Sequence, residues 1–174
     1  MLMIKAQDVI VALDLCRFEK TMSTYAERGS RLGMSASEVH AAVRRLEKAR
    51  LLDPETGVVR RIPLIDFLEH GVPYAFAERP GEVTRGIPTA WAAPVMADRF
   101  TQNSELPPVW PDPEGKTQGI AVRPLYRSVP KASQRDSGLY DLFALVDALR
   151  IGRARDRKIA KEVLKEKLLH HTAA

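Results

Sequence analysis

Ten of the twelve prolines in this chain fall between positions 73 and 130, and that distribution constrains the fold more than any other feature. Proline has no backbone N–H to donate, and its ring collides with the carbonyl four residues earlier, so a long helix through this stretch is excluded. The flanking sequence carries no such barrier. The chain therefore reads as three units, residues 1–71, 72–130 and 131–174, helical at both ends and proline-punctuated between. The predicted class is α+β, mainly α, with a small β region in the middle and a helical hairpin at the end. A length of 174 residues allows one ordinary domain with a substantial core, or a small domain with an appendage.

Within the first unit, Val9, Ile10, Leu13 and either Cys16 or Arg17 recur around one face, which predicts a helix over 4–18. Two further helices are expected over 23–32 and 36–50, separated by the turn Leu32-Gly33-Met34-Ser35. Glycine accepts the backbone reversal that closely apposed helices need. Ser35 is placed to cap the third helix, and Glu38, three residues on, completes a capping box. Along that helix Val39, Ala42, Val43 and Leu46 form a stripe to bury. Ser37, Ala41, Arg44 and Lys48 lie opposite, flanked by His40 and Arg45. A free face of small, hydrogen-bonding and cationic side chains suits the major groove of duplex DNA. Asp53-Pro54-Glu55-Thr56-Gly57 is a turn signal, and the β-branched Val58 and Val59 after it predict a short hairpin over 51–62. Its returning arm carries Arg60 and Arg61, suited to phosphates, whereas Asp53 and Glu55 at the tip would repel them.

Taken in order and spacing, Tyr25-Ala26-Glu27, Leu32-Gly33-Met34-Ser35, Ser37-Glu38-Val39, Arg44-Arg45-Leu46-Glu47-Lys48 and Leu51-Leu52 resemble the winged helix-turn-helix of bacterial transcriptional regulators, the MarR-like group in particular. The resemblance spans residues 22–62. It departs from the family pattern at Ala49-Arg50, where a glycine often ends the recognition helix, and at the hairpin tip, which is usually basic. It implies that helix 36–50 enters the major groove of double-stranded DNA. Ser37, His40 and Ala41 would then lie nearest the base edges and Arg44 would meet a guanine or a phosphate, with Arg45 and Lys48 beside it. Thr24, Ser35, Arg60 and Arg61, with Arg28 or Arg31, would hold the backbone. The implied protein is a cytoplasmic homodimer that represses transcription from a near-palindromic site.

Beyond the hairpin, residues 63–68 read as a short helix opened by Pro63 and stopped by Gly71. The middle offers two hairpins, 72–76 with 83–87 and 109–110 with 119–122. Residues 88–108 read as ordered loop, because Trp91, Met96 and Phe100 would be wasted on a tether. Tyr74, Phe76, Trp91 and Trp110 are expected in the core of a small sheet, or else on a partner-binding surface. In the last unit Leu139, Leu142, Phe143, Val146 and Leu149 form one apolar stripe, ended near Gly152. A final helix over 153–169 sets Ile159, Ala160, Val163, Leu164 and Leu168 against Arg153, Arg157, Lys158, Lys161 and Lys165. The two helices are expected to form a hairpin that packs on the first unit or on a second subunit. The basic run 150–158 reads as a solvated helix start, since no aromatic residues alternate with its cations as stacking platforms would, with a phosphate-tracking or RNA-contacting element as the alternative. The alternative to a repressor is a protein-interaction module, such as an antitoxin that neutralises a toxin or enzyme through residues 72–174 while regulating its own operon.

Charge does not decide between these readings. The net charge is +5, of which residues 131–174 supply +4 (10 Lys/Arg against 6 Asp/Glu) and the first 70 residues only +1. No enzymatic activity, cofactor or metal is expected. The chain lacks GxxxxGK[ST], GxGxxG and GxSxG, and His40, His70, His170 and His171 have no ligand spacing. Asp66 and His70 read as a surface pair, and the lone Cys16 as a packed thiol in a reducing compartment. No apolar run reaches the roughly 18–20 residues that span a bilayer, so no membrane association is expected. Lys5, Asp8 and Asp14 lie inside the apolar start and no small-residue cleavage site follows, so no signal peptide is expected.

Overall fold

The computed structural model describes residues 3–99 and 105–170 and is α+β, mainly helical, with one small three-stranded sheet. At its centre lies α1 (Ala6–Arg17), in which every residue from Asp8 to Leu13, and also Asp14, is buried. A helix buried on all sides must be enclosed by several elements. Here α3 (Ala36–Lys48) covers one side and α8 (Ser137–Ile151) another. α2 (Tyr25–Leu32) packs on α3, and the chain then makes one antiparallel bridge, Leu52 to Val59, around the Asp53–Gly57 turn. α4 (Arg61–His70) follows, two residues longer at each end than the 63–68 expected, and it stops at Gly71.

The middle differs from the expected pair of hairpins. Residues 72–76 form no strand; Val72–Ala75 is a single helical turn, α5, because Pro73 sits in the first turn, where its missing N–H costs nothing. β1 (Val83–Pro88) runs antiparallel to both β2 (Pro108–Pro111) and β3 (Thr117–Ala121). β2 and β3 do pair, but in parallel, with Pro108 opposite Ile120 and Val109 opposite Ala121, so the three strands close into a miniature barrel. Glycine permits that closure: a Cβ on Gly86 or Gly119 would overlap the carbonyl oxygens of Trp110 and Pro107. Between β1 and β2 lie a 3-10 turn, Ala90–Ala92, and the short α6 (Pro94–Ala97), again opened by proline.

The barrel is fastened to α8 by one carboxylate. Asp147, almost fully buried, accepts Trp110 Nε1 at 2.6 Å and Thr89 Oγ1 at 2.8 Å on one oxygen, and Arg150 Nη1 at 2.7 Å on the other. Burial pushes its carboxyl above the usual carboxylate range, opposed by Arg150 and the two neutral donors. Tyr140 adds a 2.6 Å bond to the Pro88 carbonyl. Trp110 is fully buried as expected, Met96 is fully buried as well, and Phe76 and Trp91 pack against the core. Tyr74 does not: it is 78% exposed. Phe100 lies outside the described residues, as does His171.

α7 (Val129–Arg135), α8 and α9 (Ala154–His170) complete the fold. The predicted stripe Leu139, Leu142, Phe143, Val146 and Leu149 is buried throughout. α8 and α9 form the expected hairpin, which packs on α1 and α4 of the same chain. The cations along α9, and Arg153 just before it, are largely committed. Lys161 and Lys165 reach Glu69 of α4 at 3.0 and 3.4 Å, Arg153 reaches Glu105 at 3.2 Å, and Arg157 donates to the Gly152 carbonyl at 2.9 Å. Arg150 turns inward, donating to the carbonyls of Phe76 and Arg123. Buried residues from α1, α3, α4, α8 and α9 form one continuous hydrophobic cluster. Among the described residues no helix is long and apolar enough to cross a membrane.

Candidate nucleic-acid interface

α2 and α3 are each specified by the same local device. Thr24 Oγ1 accepts from Glu27 N at 3.2 Å while Glu27 accepts from Thr24 N at 2.7 Å. Ser35 and Glu38 repeat the exchange at 3.2 and 2.8 Å. Two orphan donors are satisfied at each helix start. The backbone N–H groups of Thr24 and Ser35 hold the carboxyls of Glu27 and Glu38 below the usual range. Between the helices Gly33 is left-handed, at φ +66°. Its open side is closed by Ser128, whose Cβ lies 2.9 Å from where a Cβ on Gly33 would stand. Just past the end of α3, Arg50 takes the left-handed conformation (φ +62°), which glycine adopts more readily.

The stripe Val39, Ala42, Val43 and Leu46 is buried, and the opposite face of α3 is open. Ser37, His40, Arg44 and Lys48 are exposed and Ala41 is half-buried. Arg44 has 66% of its side chain in solvent, with one guanidinium nitrogen 2.9 Å from Glu47. The His40 ring lies against Tyr25, centroids 5.3 Å apart, along one edge of the strip. Thr24 and Ser35 are exposed at their caps, and Arg60 is 44% exposed.

Four cations named as DNA contacts, Arg28 and Arg31 as alternatives to each other, are occupied elsewhere. Arg45 is buried, and its guanidinium grips Asp8 of α1 in a fork, Nε at 2.8 Å and Nη2 at 2.7 Å. A carboxylate buried in the helix behind it requires a partner, and Arg45 is the cation within reach. Arg28 and Arg31 both turn to buried Asp14, at 2.8 and 2.7 Å. Arg61 donates to the Leu168 carbonyl at 2.7 Å and pairs with Glu19 at 3.0 Å, tying α4 to the end of α9. Arg60 stays outside but bonds Asp53 at 3.3 Å, so it offsets the acidic tip of its own turn. The Asp53 carboxyl is held low chiefly by the N–H groups of Thr56 and Glu55.

Two residues from the far end of the chain border the strip. Tyr126 donates its hydroxyl to Glu38 Oε1 at 3.2 Å, and the exposed Arg127 lies over the Tyr126 ring, 5.6 Å from its centroid. No local pattern in 123–128 announces this, because the contact joins residues 88 positions apart.

The remaining chemistry is sparse. Burial pushes the Cys16 thiol up to about 12, which leaves it protonated and inert near neutrality. A cavity of about 30 Å³ beside it is lined by Arg17, Arg61 and Lys167, but each pairs with a carboxylate: Asp136, Glu19 and Asp141 respectively. His70 lies 3.8 Å from Asp66 and 3.4 Å from Glu69 on the surface of α4. Among the described residues no three histidine, cysteine or acidic side chains gather as metal ligands would. Comparison with protein-family models, with curated proteins and with solved structures found no match.

Proposed function

We propose that this chain is a sequence-specific double-stranded DNA-binding regulator, a winged helix-turn-helix protein that lays α3 in the major groove and acts as a repressor. The observation that carries the reading is the uncovered strip on α3. Ser37, His40, Arg44 and Lys48 are exposed on one face, with Ala41 half-buried among them and the Tyr25 ring along the His40 edge, while the opposite face is sealed into the core. Small residues at the start of such a strip admit close approach to base edges, and cations further along meet guanine or phosphate. The left-handed turn at Gly33, the paired capping boxes and the Leu52–Val59 bridge fit the same reading. In this proposal Thr24, Ser35 and Lys48 contact phosphates, Arg60 makes a weaker contact, and a two-fold dimer presents two copies of α3 about one DNA turn apart.

The test is a titration of the protein against fragments of its own genome at several salt concentrations. A preferred duplex should remain preferred as salt rises. Arg44→Ala should weaken that duplex by about 1–3 kcal/mol and lower the preference over random DNA. Absence of any duplex preference removes the proposal. A second reading, partner binding through residues 72–174 as in an antitoxin, draws on the exposed Tyr74, Val83 and Leu106 of the middle unit. It predicts that Tyr74→Ala abolishes a stable complex with the neighbouring gene product while leaving DNA affinity unchanged.

A further inference from the structure

The open strip on α3 has an uneven charge. Its cations, Arg44, Lys48 and the adjacent Arg50, all belong to the second half of the helix and its end. The first half offers Ser37, His40 and Ala41, and the one full charge beside them is the carboxylate of Glu38. A helix that enters a groove with its first residues deepest would bring that carboxylate toward the phosphate ridge with no cation of α3 beside it, and like charges there cost affinity and on-rate. The chain supplies the offset from elsewhere. The loop at 123–128 crosses beside Gly33, where Ser128 packs against the turn, and delivers Tyr126 to Glu38. Arg127 stands next to it, exposed, with its guanidinium over the Tyr126 ring and near enough to Glu38 to favour the ionised carboxylate. Arg135, from the same stretch, donates to the carbonyl of Ser30 at 2.6 Å and so pins the stretch against the end of α2.

We infer that Arg127 is a DNA-backbone contact: the loop between β3 and α7 forms a shoulder beside the recognition helix, and its guanidinium takes the phosphate facing the first turn of α3. This rests on the DNA-binding reading and extends it, since it makes residues outside the winged unit part of the interface. Tyr126 is the positioning residue. Its ring carries the guanidinium, and its hydroxyl, anchored on Glu38, sets where the ring stands. The guanidinium also meets the Tyr126 hydroxyl, and with five N–H donors in a planar fork it can hold that contact and a phosphate together, as a lysine ammonium is less suited to do.

The experiment is a salt-dependent binding titration of the full chain with its preferred duplex and with random duplex. Arg127→Ala should weaken both by about three- to tenfold and lower the slope of log affinity against log salt by about 1, with the preference between them kept. The double variant Glu38→Gln, Arg127→Ala should remain weak, because a missing phosphate contact is not restored by removing the carboxylate. Glutamine still serves the capping box, so α3 keeps its start. If Arg127→Ala matches the unmodified protein in affinity and slope, the inference fails while the DNA-binding reading stands. Full recovery in the double variant also overturns it, because Arg127 would then act only by neutralising Glu38. If the unmodified chain shows no salt-dependent binding to any duplex, both fall together.

Discussion

Arg44 and Arg45 are neighbours in sequence, and the roughly 100° of helical rotation between successive residues sends them to opposite fates. Arg44 stands in solvent with a partner on its own helix, whereas Arg45 is locked onto buried Asp8. The distinction has a measurable consequence. Arg45→Ala leaves a carboxylate buried without its counter-charge and should destabilise the fold by about 3–5 kcal/mol, seen as a lower midpoint in urea. Arg44→Ala should leave that midpoint within about 0.5 kcal/mol, as exposed pairs contribute little. A stable Arg45→Ala protein with weakened DNA affinity would return Arg45 to the interface. Arg28 and Arg31 carry the same lesson, whereas Arg61 turns to the half-buried Glu19 and the Leu168 carbonyl. A cation on an amphipathic helix is read from sequence as solvent-facing, and a buried carboxylate on another element can reverse that assignment.

At the level of the element, the turn between α2 and α3 sets the presentation of the strip. Two constraints meet at Gly33: a left-handed backbone and the closeness of Ser128. Gly33→Ala meets both, and should cost about 1–3 kcal/mol by thermal or urea unfolding. It should also weaken DNA binding at temperatures where the variant is still folded, because Ser128 and the loop behind it must shift. Arg50 shows the reverse arrangement, a non-glycine residue held left-handed at the end of α3. The miniature barrel obeys the same steric logic, with Gly86 and Gly119 where backbones meet. The sequence predicts a hairpin of 109–110 with 119–122; the register observed is parallel for β2 and β3, since both run antiparallel to β1 and close on each other.

Across the whole molecule, the helical units share one core. α1 contributes residues to the first unit but is covered by α8, α4 is braced by α9, and α2 is flanked by α7. Residues 1–71 expressed alone would expose the side of α1 that packs on α8. That fragment is expected to lack a cooperative thermal transition by circular dichroism, while the full chain shows one. A sharp transition in the fragment would show that the first unit folds independently. The barrel hangs from the same core through the Trp110–Asp147 bond, so the proline-punctuated middle is fastened to the helices and not strung between them.

Much of this organisation is legible in the order of residues. Apolar spacing marks α1, α3, α8 and α9, a capping pair marks where α3 begins, Gly33 marks the turn before it, and proline confines helix to short turns across the middle. Those signals are local: each depends on residues within a few positions of one another, so a single chain displays them unaided. Long-range events leave no such trace. That Arg45 faces Asp8, that β2 lies parallel to β3, that Tyr126 and Arg127 border α3, and that one carboxylate suspends the barrel all depend on which distant residues are brought together. Burial then selects the partner, because a charge or donor removed from water must be satisfied by whatever the packed chain has placed beside it.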